Sequence, residues 1–470
     1  MGQIRLRSSV AWLPWGAAAF ARAREEQKPV LLSLSAPWSS ACREMDRVCY
    51  QHGDIADEIN RWFVPVRVDV DRRPDVAERY DLGGLPSTVF RTVDGEIIGG
   101  GTFVPPDRFR EALGRVRQQA RARSVHSQLP VPNSQLPTVN SQRPPPNSQQ
   151  VLTAQVFASF DREHGGFGGA PKFPLAAPVR LALDRFRETQ SEEMAECVTT
   201  TLDAMGWGGL YDEAGGGFHR CAGREDWSEP QPAKLLSTNA AMLDLYLEAG
   251  TTFGNERWLA RAADVVEFIQ GTLAIGPGEG WRASAESDAT RFTDVNALAA
   301  SSLLRAARVF NDATLEGLAL QSLETVVLAT YRPGQGVARC TGGVRGLLTD
   351  QVAMIAAHLD AWDRTGNVVY QMMAEELARF IERTLRDEAR GGFLDRAGGN
   401  EDEIGLLARQ LRPFELNCEA ALALGRLAAL SPDGGFDTLA SSALAGAAET
   451  AALQGPLAAH YLLAVRSLSR

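Results

Sequence analysis

The sequence predicts a multidomain chain, an α/β unit followed by a longer all-α unit, on three observations. At 470 residues the chain exceeds what one hydrophobic core serves. Residues 1–122 alternate strand-length apolar runs with helical segments, including a strand–turn–helix step ending at Cys42. Residues 151–470 are rich in alanine and leucine at helical spacing and are broken by recurring glycine loops. Between them, residues 123–150 read as a linker.

Composition narrows the classes. With 44% hydrophobic and 23% charged residues the chain has the make-up of an ordinary soluble protein, and a net charge of -10 argues against a general nucleic-acid binder. Six cysteines, at 42, 49, 197, 221, 340 and 418, form neither a disulfide framework nor close metal-type pairs. A reducing, cytoplasmic setting follows, with no cofactor and no metal expected. Arg5 and Arg7 before an apolar stretch resemble a signal peptide superficially, but Pro14 and Gly16 interrupt it, and residues 15–27 read better as an amphipathic helix. No run approaches the roughly 18 apolar residues of a membrane span, so no membrane partner is expected.

Taken in order, the apolar run 30–34 is a buried strand, and Pro37-Trp38 turns the chain into a helix that Ser39 can cap. This is the layout of a thioredoxin-type redox site, where two cysteines two residues apart sit at a helix start that stabilises a thiolate. Here Ser39 stands in place of the attacking thiol and cannot do its work. Cys42 has two readings, an inert half-buried remnant or a working single thiol. Cys49 lies two helical turns on, about 10.5 Å of rise, beyond disulfide reach. Residues 54–63 form a helix, 64–69 a strand, and 74–80 a helix with proline in its first turn. Gly83-Gly84-Leu85-Pro86-Ser87-Thr88 precedes a strand at Val89-Phe90, and the Leu85–Pro86 bond is expected to be cis, facing the helix tip; an ordinary turn proline is the alternative. An Asp94-Gly95 hairpin leads to a strand over 96–100, and Pro105-Pro106 opens a closing helix to about residue 122.

The linker repeats a seven-residue unit (HSQLPVP, NSQLPTV), whose prolines forbid a continuous helix and make an extended spacer; a motif for a proline-reading partner is the sharper alternative. In the second half, glycine blocks recur at 165–167, 215–218, 278–281, 334–337, 391–393 and 434–436. Their spacing of roughly 45–65 residues suits one helical hairpin each, which yields an (α/α)6 toroid, with a superhelical array as competitor.

These features carry a family resemblance. Pro14-Trp15-Gly16, Val68-Asp69, Arg73-Pro74-Asp75 and the segment 99–106 (GGGTFVPP) resemble the thioredoxin-like domain of the spermatogenesis-associated thioredoxin-like family. GGFGGAPKFP at 165–174, YDEAGGGFHR at 211–220, Trp227, Lys234, Asn239 and Ser284-Ala285-Glu286 resemble the family's toroid motifs. The resemblance implies a thioredoxin-like domain fused to a six-hairpin glycosidase-like toroid, and hence carbohydrate chemistry. Relatives read Cys-His-Trp-Cys-His where this chain has Ser39-Ser40-Ala41-Cys42-Arg43, so the implied redox role lacks its first thiol. Gln231, Ala233 and Thr238 likewise replace a histidine, a glutamate and an aspartate.

Read as chemistry, the loop with Asp212, Glu213, His219, Asp226 and Trp227 is the densest polar and aromatic set in the toroid. His219 could abstract a proton beside a sugar carbonyl while Trp227 offers a ring face. Glu286 and Asp288 supply carboxyls from another hairpin. Each has a structural alternative as cap, hydrogen-bonded histidine or core ring. The resemblance adds Lys234 and Asn239 as ligand contacts. The leading expectation is a non-catalytic or weakly active member that binds a small carbohydrate-like ligand in the toroid, or a protein partner at the face with Ser39, Cys42 and Pro86. The alternative is an enzyme: a sugar 2-epimerase or glycosidase using His219, Glu286 and Asp288, or a single-thiol redox protein using Cys42.

Overall fold

In the computed structural model, which describes residues 9–93, 95–125, 149–399 and 401–469, the first sheet is built around the hexapeptide VLLSLS. Its elements follow in order as β1 (Leu13–Pro14), α1 (Ala17–Glu26), β2 (Val30–Ser35), α2 (Ser40–Met45), α3 (Gly53–Trp62), β3 (Val64–Asp69), α4 (Pro74–Tyr80), β4 (Ser87–Arg91), β5 (Ile97–Gly101) and α5 (Pro106–Val125). The strand order is β1-β3-β2-β4-β5, with β2 parallel to β3 and antiparallel to β4. β2 is central, and its period of two sends Leu32 and Leu34 to one face with Phe20 and Tyr80, and Leu31 to the other with Ile59 and Phe109. Helices cover both faces. This is the thioredoxin-like domain. β1 escapes the sequence reading because two residues are too few to show a period. The Leu85–Pro86 bond is cis, and so is Ala170–Pro171.

The chain divides into two compact units. The first takes the described residues up to 125 together with Gly398–Gln410, a segment that lies far away in sequence. The second takes the remaining described residues. Asp94 and the seven-residue repeats at 126–148 lie outside the described residues.

The second unit contains α6 (Gln149–Ala158), α7 (Ala176–Thr189), α8 (Glu192–Trp207), α9 (Leu236–Phe253), α10 (Glu256–Phe268), α11 (Thr293–Phe310), α12 (Ala313–Thr330), α13 (Leu348–Thr365), α14 (Val368–Leu385), α15 (Phe414–Leu430), α16 (Phe436–Ala448) and α17 (Ala458–Leu468). Helices α7, α9, α11, α13, α15 and α17 touch in sequence and α17 closes on α7, so they form an inner ring, with the even-numbered helices outside. The ring is closed, which makes the unit an (α/α)6 toroid. Long glycine loops lead from each outer helix to the next inner one as far as α15, so the inner helices all start at one end. One glycine block departs from the expected order: Gly434-Gly435 sits in the short turn between α15 and α16, and the last loop, before α17, has no such block.

Candidate functional site

At the thioredoxin-like site, the Ser39 hydroxyl accepts the Cys42 backbone N–H at 3.3 Å and caps α2. The serine thus serves as a cap. Cys42 is only 2% exposed, and all six cysteines are buried and none is in a disulfide. Cys49 donates towards the Val104 carbonyl at 3.5 Å, and burial pushes its thiol up to about 11. Pro86 is buried. Beside Cys42 lies a cavity of about 240 Å³ whose walls include Ser35, Asp46, Arg67 and Asp69.

In the toroid, three of the expected ligand residues belong to an internal structural repeat. Asn239, 0% exposed in the first turn of α9, accepts the Phe218 N–H at 2.7 Å and donates to the Phe218 and Leu235 carbonyls. Asn296 does the same for Trp281 and Phe292, Gln351 for Val337 and Leu347, and Asn417 for Phe393 and Pro413. Each amide clamps the preceding glycine loop onto the next inner helix. Asp212 accepts the N–H groups of Ala214 and Gly215, as Asp161 does for Glu163 and His164, and Asp387 for Ala389 and Arg390. Lys234 ties Asp212 to the Gly216 carbonyl at 2.5 and 2.7 Å, as Lys172 ties Asp161 to the Glu225 carbonyl. The lysine holds the Asp212 carboxyl down at about 2. These residues fold the loops.

Trp227 is 1% exposed, donates its ring N–H to the His164 carbonyl at 2.9 Å and lies under the Lys172 ammonium, so no ring face is open for a sugar. His219 is half-buried. Its desolvation, and then the Lys234 charge, lower its pKa, and its Nδ1 is buried without a hydrogen-bond partner. Glu286 and Asp288 are exposed on the loop before α11, where the Asp288 carboxylate accepts the Thr290 N–H. Lys234 and Asp212 act electrostatically on His219. Glu213 instead lines a recess of about 430 Å³ against the outer helix α10, paired with Arg261 at 2.6 Å.

A second cluster gathers at the first two turns of the inner helices, and sequence reading missed it. Glu415 and Glu419 lie one turn apart on α15, and the His460 ring of α17 stands 3.8 Å from the Glu415 carboxylate. Arg180 of α7 and Asp294 of α11 act electrostatically on Glu419 as well. Asp294 and the fully buried Asp350 of α13 share Arg339, at 2.5 and 3.0 Å. Glu419 keeps open surface, yet burial within the surrounding protein, and then Glu415, push its carboxyl up to about 7. Burial likewise pushes Glu415 up and His460 down to about 4. These groups gather at the end of the closed ring where its inner helices start, the chamber end of the toroid. Further along the same helices, an ion-pair belt runs Arg180–Asp244–Arg305–Asp360–Arg426 through α7, α9, α11, α13 and α15.

Among the described residues no group of three or more His, Cys, Asp or Glu side chains is arranged to hold a metal, and no helix is long and apolar enough to cross a membrane.

Comparison with known proteins agrees with both folds. Residues 3–128 match the model of a thioredoxin DsbH-type family described as a protein of unknown function, DUF255. The chain is similar to Spermatogenesis-associated protein 20 of Homo sapiens, 30% identical over 297 residues, covering 57% of this chain and 38% of the relative. It is also similar to an uncharacterized protein of Caenorhabditis elegans, 31% identical over 263 residues, covering 50% and 36%. These matches span well under half the length of the relatives. Among solved structures, a D-mannose isomerase aligns with TM-score 0.56 and 11% identity, over 68% of this chain and 97% of its own. Cellobiose 2-epimerase from Bacillus thermoamylovorans B4167 aligns with TM-score 0.53 and 13% identity, over 63% and 85%. At such identities the likeness is one of fold.

Proposed function

We propose that the toroid binds a small carbohydrate in the chamber at the N-terminal ends of its inner helices, and that the thioredoxin-like unit performs no disulfide exchange. The observation that carries this reading is the cluster itself: Glu415 and Glu419, one turn apart on α15 and open to water, with the His460 ring 3.8 Å from the Glu415 carboxylate. The Glu419 and Glu415 carboxyls can donate or accept hydrogen bonds, and Arg180 donates. Such a set of donors and acceptors matches adjacent sugar hydroxyls. The toroid fold is shared with sugar epimerases and glycosidases, which supports the ligand class. Six buried cysteines without a disulfide support a reducing, cytoplasmic setting. The Cys42 cavity gives the first unit a recess for a side chain of a protein partner.

Turnover is the second reading, favoured by the different proton affinities of neighbouring groups. Glu419 holds a proton near neutrality while His460 beside Glu415 stays unprotonated, which is the division of roles that acid–base catalysis uses.

Ligand-observed NMR with a panel of aldoses and disaccharides tests both. Binding that weakens at least tenfold in Glu415→Ala, with little change in His219→Ala, supports the chamber. No binding by any sugar, or loss confined to His219→Ala, refutes it. New isomer or hydrolysis signals that vanish in Glu419→Gln establish turnover.

A further inference from the structure

Residues 401–410 lie on the first unit as a strap against α1 and α4, and the way they are held is that of a bound peptide. The Trp15 ring N–H donates to the Asp402 carbonyl at 3.1 Å. The Arg79 Nε donates to the Leu406 and Arg409 carbonyls, both at 3.1 Å, and its Nη2 donates to Arg409 again at 2.5 Å. The Tyr80 hydroxyl accepts the Leu406 N–H at 2.8 Å. Side chains of the folded unit therefore address the main chain of the strap, as peptide-binding modules do to gain affinity. Specificity comes from three further contacts. Arg73, braced by Asp75, pairs with the Asp402 carboxylate at 2.7 Å. Leu407 is 0% exposed in the apolar cluster of Trp15, Phe20 and Tyr80, which Ile404 and Leu406 flank. Gly405 has φ +62°, and a Cβ there would stand 1.9 Å from the Arg91 guanidinium and 2.8 Å from the Tyr80 hydroxyl. Only glycine fits.

We propose that this face of the thioredoxin-like unit is a peptide-binding site. It reads the pattern acidic, any residue, apolar, glycine, leucine, leucine, and its ligand is the chain's own segment 401–410, bound in cis. The site lies on the α1 and α4 side of the sheet, uses neither Ser39 nor Cys42, and stands independently of the sugar reading. Because the strap is covalently attached, its effective concentration is on the order of millimolar, and a free peptide cannot compete until the strap is removed.

The test uses the full chain with residues 402–408 replaced by an equal length of glycine and serine, and a fluorescent synthetic peptide of residues 398–411. Saturable binding to the replaced chain is expected, at least tenfold weaker to the unaltered chain. A further tenfold loss is expected with Arg79→Ala in the protein or Gly405→Ala in the peptide. Equal binding of a scrambled peptide, or none to a replaced chain whose β2 and β3 amides stay protected from hydrogen exchange, overturns the proposal. If replacement unfolds the first unit, added peptide must restore that protection, and failure to do so also overturns it. In the otherwise intact chain, Arg79→Ala should speed exchange at 404–407 at least tenfold while β2 is unchanged; no change there counts against the site.

Discussion

Asn239 shows how a residue in a suggestive motif can have a purely structural occupation. Its amide completes the hydrogen bonding of the Phe218 main chain inside the toroid, and three other inner helices carry an equivalent amide. Asn239→Ala orphans one buried N–H and one buried C=O, which should cost on the order of 2–4 kcal/mol in chemical denaturation. Sugar affinity in the surviving folded fraction should not change; a selective loss of affinity with stability intact would make Asn239 a ligand contact. Cys42 carries a companion prediction. At 2% exposure its thiol should resist iodoacetamide at pH 8 until denaturant is added, as site-resolved mass spectrometry would show. Rapid labelling of the native chain would restore the single-thiol reading.

Elements differ in how far the sequence discloses them. In the first unit β2 was legible as an apolar run and β3 as an alternating segment, while β1 was too short to read, and the toroid was legible because glycine loops repeat. The strap was not, since Leu406 meets Tyr80 across 326 residues and no local pattern encodes so distant a contact. Nor was the chamber: Glu415, Glu419 and His460 sit on helix faces with the spacing of an ordinary solvated stripe, and only ring closure turns those faces inward. The belt is equally hidden, and its energetics belong to the helices it joins. The Asp244 side chain is 3% exposed and shared by Arg180 at 3.2 Å and Arg305 at 2.8 Å, so Asp244→Asn should destabilise the toroid by about 3–5 kcal/mol. Glu248→Gln, which loosens the more open pair with Arg187, should cost about 0.2–1 kcal/mol. Comparable losses in urea titrations of the two variants would mean that the belt is no more coupled than a surface pair.

For the whole molecule, the titrating groups oppose one another across the neutral range. Glu419 has its carboxyl raised from 4.5 to about 7, so the folded state holds a proton that the unfolded chain has released. Its contribution to stability is full below pH 4.5 and is lost as pH rises through 7. His358 and His460 run the other way. Burial lowers both from 6.5 to about 4, so their neutral rings favour the fold above pH 6.5 and lose that advantage as pH falls towards 4. The two windows overlap between pH 4.5 and 6.5, where the single carboxyl opposes the two rings; of these three groups only the rings act below pH 4.5, where stability falls with acid, and only Glu419 acts between 6.5 and 7, where stability falls as pH rises. Glu419→Gln removes the titrating carboxyl while keeping a neutral hydrogen-bonding group, so its loss between pH 4.5 and 7 should disappear: the rise towards pH 6.5 should steepen and the fall from 6.5 to 7 should flatten. His358→Gln should leave that limb in place and ease the acid one. Thermal melts of the three proteins from pH 4 to 9 decide the matter, for if the Glu419→Gln curve parallels the parent between pH 4.5 and 7, the fold does not raise the Glu419 proton affinity and the chamber is wetter than its surroundings imply.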